Sequence, residues 1–170
     1  MNERQKKGKQ AAIEGFAHEH IAAGILMKRF QNVSLVDLPL SSYDIIIALK
    51  KKDGSEEIIR AQVKTAKKQI NFVGGRRGGI DRTYKSNVKE YVQSTKTSDV
   101  VIGVHPNENR GFDLYFVPTI LIERLRQKSI SLKKIEKLKN NYEILERCKD
   151  YDFVIKKCIK YKILKYGGKK

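Results

Sequence analysis

The chain has no tryptophan, two cysteines, two methionines and three prolines. Cys148 and Cys158 are too few and too late in the sequence for a disulfide framework, and no C-x-x-C or Cys/His spacing points to a zinc site. Both read as reduced thiols. Acidic residues are scarce: 19 Asp+Glu stand against 36 Lys+Arg, a formal charge of +17. Such an excess in one small domain predicts a polyanionic partner and argues against a small-molecule substrate. Long apolar runs are missing too, and the basic start carries no following apolar block or cleavage site, so the expectation is a soluble, cytoplasmic chain with no membrane segment. No internal repeat appears. At 40% hydrophobic and 32% charged the chain can still bury a core, and one domain is expected.

Residues 1–10 read as a polar, basic N-terminal arm. Residues 11–30 place Ile13, Phe16, Ala17, Ile21, Ile25 and Leu26 near helical spacing, which predicts an amphipathic helix. Residues 33–38, 43–49 and 57–66 are rich in β-branched residues and read as strands, the last two joined as a hairpin at Asp53-Gly54. Residues 69–86, with Gly74-Gly-Arg-Arg-Gly-Gly79, read as a flexible basic loop, with a short strand return as the alternative. A short helix over 88–95, a hairpin from 99–104 and 112–117, and helices over 120–127 and 132–138 follow, with His105 read as a loop residue. The pattern over 151–166 has no clean period. Basic residues concentrate in 61–90 (8 against 2 acidic) and 131–170 (13 against 5), the segments expected to face the polyanion.

A hairpin turning at Asp53-Gly54 pairs positions whose numbers sum to about 107. Asp44 is then expected opposite Val63, between Gln62 and Lys64, which share a face by the two-residue period of a strand. A carboxylate, an amide and an ammonium on an apolar hairpin need compensating partners. A hard divalent cation supplies one: Asp44, the Gln62 amide oxygen and the Val63 carbonyl are oxygen ligands, and Mg²⁺ fits best, with Mn²⁺ left open as an alternative. Lys64 would hold or help deprotonate an attacking water and counter charge on a pentavalent phosphorus, which is the chemistry of phosphodiester hydrolysis. Glu19, on the edge of the helix stripe, can add a fourth group. His18 and His20 project about 100° to either side of it, which argues against a joint metal site.

These residues resemble the PD-(D/E)xK nuclease superfamily over about residues 11–120. The matching pieces are Gly15-Phe-Ala-His-Glu19, Ser42-Tyr-Asp44 and Ala61-Gln-Val-Lys-Thr-Ala66. The last is similar to the group carrying Q-x-K in place of E-x-K. The resemblance implies an α/β fold with a restriction-endonuclease-like core, a mixed central β-sheet flanked by helices. It also implies Asp44, Gln62 and Lys64 as active-site residues, with Glu19 as an accessory acid. Two departures stand out. Tyr43 replaces the proline of the motif, and Gln62 removes one negative charge from the metal site, to be made up by Glu19 or a DNA phosphate.

The expected organisation is an arm over 1–10, a nuclease core over 11–128 and a basic C-terminal extension over 129–170 packed on or near that core. Lys67, Lys68, Arg76, Arg77, Arg82, Tyr84 and Lys85 are expected to contact DNA. The C-terminal lysines read as a non-specific anion surface. Cutting both strands of a duplex needs two active sites, so a homodimer is expected. The leading expectation is an Mg²⁺-dependent, restriction-type endodeoxyribonuclease. A structure-specific enzyme of Holliday junction resolvase type and a catalytically weak nuclease-fold DNA- or RNA-binding protein stay open.

Overall fold

A computed structural model describes residues 3–38, 41–75 and 90–165. Its centre is a five-stranded mixed sheet in the order β1-β2-β3-β7-β8, formed by β1 (Asn32–Leu35), β2 (Ile45–Lys50), β3 (Glu56–Thr65), β7 (Val100–Pro106) and β8 (Phe112–Pro118). The β1–β2, β2–β3 and β7–β8 pairs are antiparallel, and β3–β7 is parallel. The fold is therefore mixed α/β, as expected. β7, between β3 and β8, is buried from Val100 to Val104, and its near-continuous apolar sequence suits a strand covered on both faces.

Helix α1 (Glu3–Met27) packs against β1, β3 and β7. It begins at Glu3, inside the segment read as an arm, because Gln5, Lys6, Lys7 and Lys9 are good helix formers. Its buried face also differs from the expected stripe. Ala22, Ala23 and Leu26 are buried with His18, while Ile13 and Phe16 are 54% and 64% exposed. The small alanines let the C-terminal half lie close to the sheet, and the N-terminal half makes no such contact.

Two short ribbons flank the sheet. In one, β4 (Gln69–Asn71) pairs with β9 (Ser129–Ser131); in the other, β5 (Val73–Gly74) pairs with β6 (Tyr91–Val92). The helix expected over 88–95 is thus a strand at Tyr91–Val92, two residues that favour extended backbone, held by the Gln93 amide donating to the Phe72 carbonyl at 2.8 Å. Helices α2 (Thr119–Leu125), α3 (Tyr142–Glu146) and α4 (Tyr151–Lys160) complete the described chain, with a 3-10 helix at Leu132–Leu138. The segment without clean period contains α4, whose N-cap is the Asp150 carboxylate accepting from Phe153 N. Ile130, Leu132, Ile135, Leu138, Ile144, Leu145, Phe153 and Val154 belong to the same buried cluster as the sheet residues. Cys148 and Cys158 are free and buried. Among the described residues no helix is long and apolar enough to cross a membrane.

Gly103 sits beside Lys64 in the β3–β7 register, and a Cβ there would lie 2.4 Å from Ile70 Cδ1 and 3.3 Å from Ala66 Cβ. Ile70 is fully buried and has little room to retreat. Gly103→Ala should therefore destabilise the fold by about 1–3 kcal/mol through overpacking. Ile70→Val in the same chain should recover part of that loss; strictly additive effects in urea unfolding would contradict the contact.

Candidate active site where two strands part

The β2–β3 hairpin turns through Lys51–Ser55. Lys51 N donates to Ser55 O at 2.8 Å, Gly54 N to Lys51 O at 3.1 Å, and Gly54 takes a φ of +83° that glycine adopts without strain. Asp53 accepts from the Ser55 amide and hydroxyl. This longer turn is centred on Asp53 and not between Asp53 and Gly54, so Ile45 pairs with Ala61 and Ile47 with Ile59. The register differs by one from the expected pairing. Asp44 falls opposite Gln62, not Val63, and shares the face of Gln62 and Lys64.

Asp44 is the last point at which the two strands touch. Its N–H donates to Ala61 O at 2.9 Å and its carbonyl accepts from Val36 N at 2.8 Å, so its backbone is stitched between β3 and β1. Beyond it β3 continues without β2, and the Val63 N–H that would have met a further β2 residue donates to Asp44 Oδ2 at 2.7 Å. The same oxygen accepts from Gln62 Nε2, which lies 3.4 Å from the Val63 carbonyl oxygen as well. Asp44, Gln62 and the Val63 carbonyl, expected to share a site, are thus brought together. The Gln62 amide, however, turns its nitrogen to Asp44 and its oxygen to Gln93, the reverse of what a ligand oxygen needs.

Glu19 and Lys64 join the group electrostatically. Burial pushes the Glu19 carboxyl up to about 7, and the nearby Asp44 charge adds to the shift, while His20 and Lys64 oppose it. Burial also raises Asp44, against the Val63 N–H and the Lys64 charge. Burial lowers Lys64, against the attraction of Asp44 and Glu19. Two carboxyls and one ammonium therefore crowd a poorly hydrated recess. His18 anchors the helix that carries Glu19: it is 5% exposed and its Nδ1 meets Thr65 Oγ1 at 2.8 Å, one residue past Lys64. Burial holds its pKa below the ordinary value, which favours the neutral ring. His105, read as a loop residue, lies in β7 with Nδ1 2.7 Å from Ala66 O.

Among the described residues no three or more His, Cys, Asp or Glu side chains cluster as a metal site. A cation here would have the Asp44 and Glu19 carboxylates and the neutral oxygens of Val63 and Gln62. That donor set is all oxygen and suits a hard divalent ion. The mutual repulsion of the two carboxyls is the feature such an ion would relieve.

Lys67 and Lys68 follow β3 after the buried Ala66 and are exposed, with Lys67 Nζ 3.2 Å from Glu14. Arg76, Arg77, Arg82, Tyr84 and Lys85 lie outside the described residues. Sequence reasoning missed Gln93, which donates to Gln62 Oε1 and is itself held by the Ser42 carbonyl and the Thr97 and Ser98 hydroxyls. A lone Gln after two strand residues carries no periodic or motif signal, and the helix expected over 88–95 hid it.

No family model and no curated protein matches this chain. Among solved structures, a bacterial homing endonuclease, I-Ssp6803I, is similar at 20% sequence identity and a TM-score of 0.45, over 71% of this chain and 76% of that one.

The shifted Glu19 carboxyl makes a pH prediction. Unfolded, it ionises near its ordinary 4.5; folded and metal-free, it keeps its proton to about 7. The folded state holds the extra proton between those values, so stability falls as pH rises from 4.5 to about 7. Glu19→Gln should remove this slope and gain about 1 kcal/mol over the parent above neutrality, well under the full linkage value because the carboxyl is partly screened by water. Urea midpoints at about pH 5 and about pH 8 check it; an equal difference between variant and parent at both would contradict the assignment.

Proposed function

We propose that the chain is a divalent-metal-dependent endonuclease of the PD-(D/E)xK type, in the variant group with Gln-x-Lys, hydrolysing phosphodiester bonds in double-stranded DNA as a restriction-type enzyme. The observation that carries this reading is the convergence of Asp44, Gln62, the Val63 carbonyl, Lys64 and Glu19 where β2 leaves β3. The charge of +17 supports a nucleic-acid substrate.

Asp44, Glu19 and the Val63 carbonyl hold the cation, with the Gln62 amide as a further oxygen donor once turned. When bound, Mg²⁺, or Mn²⁺ in its place, would supply Lewis acidity to the attacking water and to the scissile phosphate. Lys64 does the remaining work from the chain's side. Its burial favours loss of a proton, so it can hold the attacking water and receive its proton, and when protonated it faces the charge that grows on the phosphate oxygens. His18 keeps α1 against Thr65 and so keeps Glu19 at the site. Lys67 and Lys68 grip the DNA backbone beside the cut, with Arg76, Arg77, Arg82, Tyr84 and Lys85 extending that contact. A homodimer places one such site on each strand.

A second reading has one specific observation behind it. The Gln62 amide nitrogen, not its oxygen, faces Asp44, which favours a nuclease fold that binds nucleic acid and cuts weakly.

Supercoiled plasmid, linear duplex and a four-way junction, each with Mg²⁺ or a chelator, separate these readings. Metal-dependent cuts in the duplexes are expected, and Lys64→Ala should lower the cleavage rate by about 10²–10⁴-fold with binding retained. Cutting confined to the junction would assign a resolvase. Equal cleavage by Lys64→Ala and the parent would remove Lys64 from the chemistry, and binding without cutting on all substrates would favour the weak-nuclease reading.

A further inference from the structure

Gln93 is 1% exposed, and every polar position of its side chain is used. Its Oε1 accepts from the Thr97 hydroxyl at 2.5 Å and the Ser98 hydroxyl at 2.9 Å. Its Nε2 donates to the Ser42 carbonyl at 3.3 Å and to Gln62 Oε1 at 3.1 Å. A backbone carbonyl can only accept, so the end of Gln93 facing Ser42 must be the NH₂. That same NH₂ faces Gln62. The Gln62 amide is therefore set with its oxygen towards Gln93 and its own NH₂ towards Asp44, itself an acceptor. Donation runs outward from the Gln93 NH₂, to the Ser42 carbonyl on one side and through the Gln62 amide to the Asp44 carboxylate on the other.

A cation at Asp44 reverses the demand at Gln62, which must then offer oxygen. Turning that amide brings its NH₂ against the NH₂ of Gln93, and Gln93 cannot turn in reply without setting its oxygen against the Ser42 carbonyl. We propose that Gln93 is a positioning residue that fixes the amide of Gln62 and thereby weakens divalent cation binding at Asp44. The inference rests on the metal-dependent reading of the site and goes beyond it: the affinity of the site is set by a residue that does not touch the cation.

The test is Mn²⁺ binding to the full chain without DNA, by calorimetry, in the parent, Gln93→Met, Gln62→Glu and the double variant, with thermal unfolding of each to confirm the fold. Gln93→Met should tighten Mn²⁺ binding by about tenfold, the equivalent of one hydrogen bond no longer opposing the turn. In the Gln62→Glu background the same change should bring no gain. A carboxylate at that position accepts from Gln93 through one oxygen and offers the other to the cation without turning. A purely structural effect of Gln93→Met would act alike in both backgrounds, and that pattern, or no gain in either, overturns the proposal. Should Gln93→Met not fold, side-chain amide resonances of the parent decide. The Gln93 NH₂ signals should move together with those of Gln62 on Mg²⁺ addition, and unmoved Gln93 signals overturn the proposal. Absence of Mn²⁺ binding in the parent and in Gln62→Glu overturns the metal-dependent reading as well, whereas binding without the background-dependent effect overturns only the role of Gln93.

Discussion

The hydrogen bond from the Val63 amide to the Asp44 carboxylate, 2.7 Å long, joins the sheet to the site. It exists because β2 ends where β3 goes on, which leaves a strand N–H without a strand partner and a side chain in place to satisfy it. The hairpin turn decides which side chain that is. A turn longer or shorter by one residue would move Asp44 along β3 and place a different pair of faces together, since side chains alternate with period two. Gly54 in the left-handed conformation and the Asp53 contacts to Ser55 hold that register from about ten residues away.

The parallel partner of β3 completes the frame. Asp99 accepts from Arg60 N and from the Arg60 guanidinium, with ion-pair atoms 2.9 Å apart, and so ties the start of β7 to the middle of β3. From there the strands run together through Lys64 and Gly103. The missing Cβ of Gly103 admits Ile70 against β7, so β4 can lie beside the end of β3 that carries Lys64. Rigid strands on one side and the α1 helix on the other hold three ionisable groups whose preferences conflict. Burial shifts Asp44, Glu19 and Lys64 towards their neutral forms, and their mutual fields pull Lys64 towards its charged form while setting the two carboxyls against each other.

Much of this was legible in the sequence. The β-branched runs located β2, β3, β7 and β8 closely, because alternation and turn residues are local signals. Asp44, Gln62, Val63 and Lys64 could be grouped because hairpin pairing is nearly arithmetic, and the error of one position came from reading Asp53-Gly54 as a two-residue turn. The helix failed differently. Ile13 and Phe16 look like core residues by spacing, but what a helix buries depends on where the sheet ends, and the sheet covers only the half beyond His18. Gln93 was invisible for a deeper reason. Its role depends on β5 and β6 pairing across a long sequence separation, and nothing in the local pattern of Tyr91-Val92-Gln93 announces it.

The amide at position 62 is best understood from the state without a cation. A carboxylate there would make a third acid beside Asp44 and Glu19 in a recess with the half-buried Lys64, and burial already raises both existing carboxyls. Glutamine meets the same geometry with a donor. Its NH₂ satisfies Asp44, its oxygen is satisfied by Gln93, and among the described residues no buried side-chain polar atom is left without a partner. The empty arrangement is thus internally complete, which an acid in that place would not allow. Under the proposed reading the consequence follows directly: the more fully the amides satisfy one another, the more a cation must displace to bind. Substrate phosphate, by adding negative charge next to Asp44 and Glu19, is then the natural counterpart that favours the turned amide and the bound ion together.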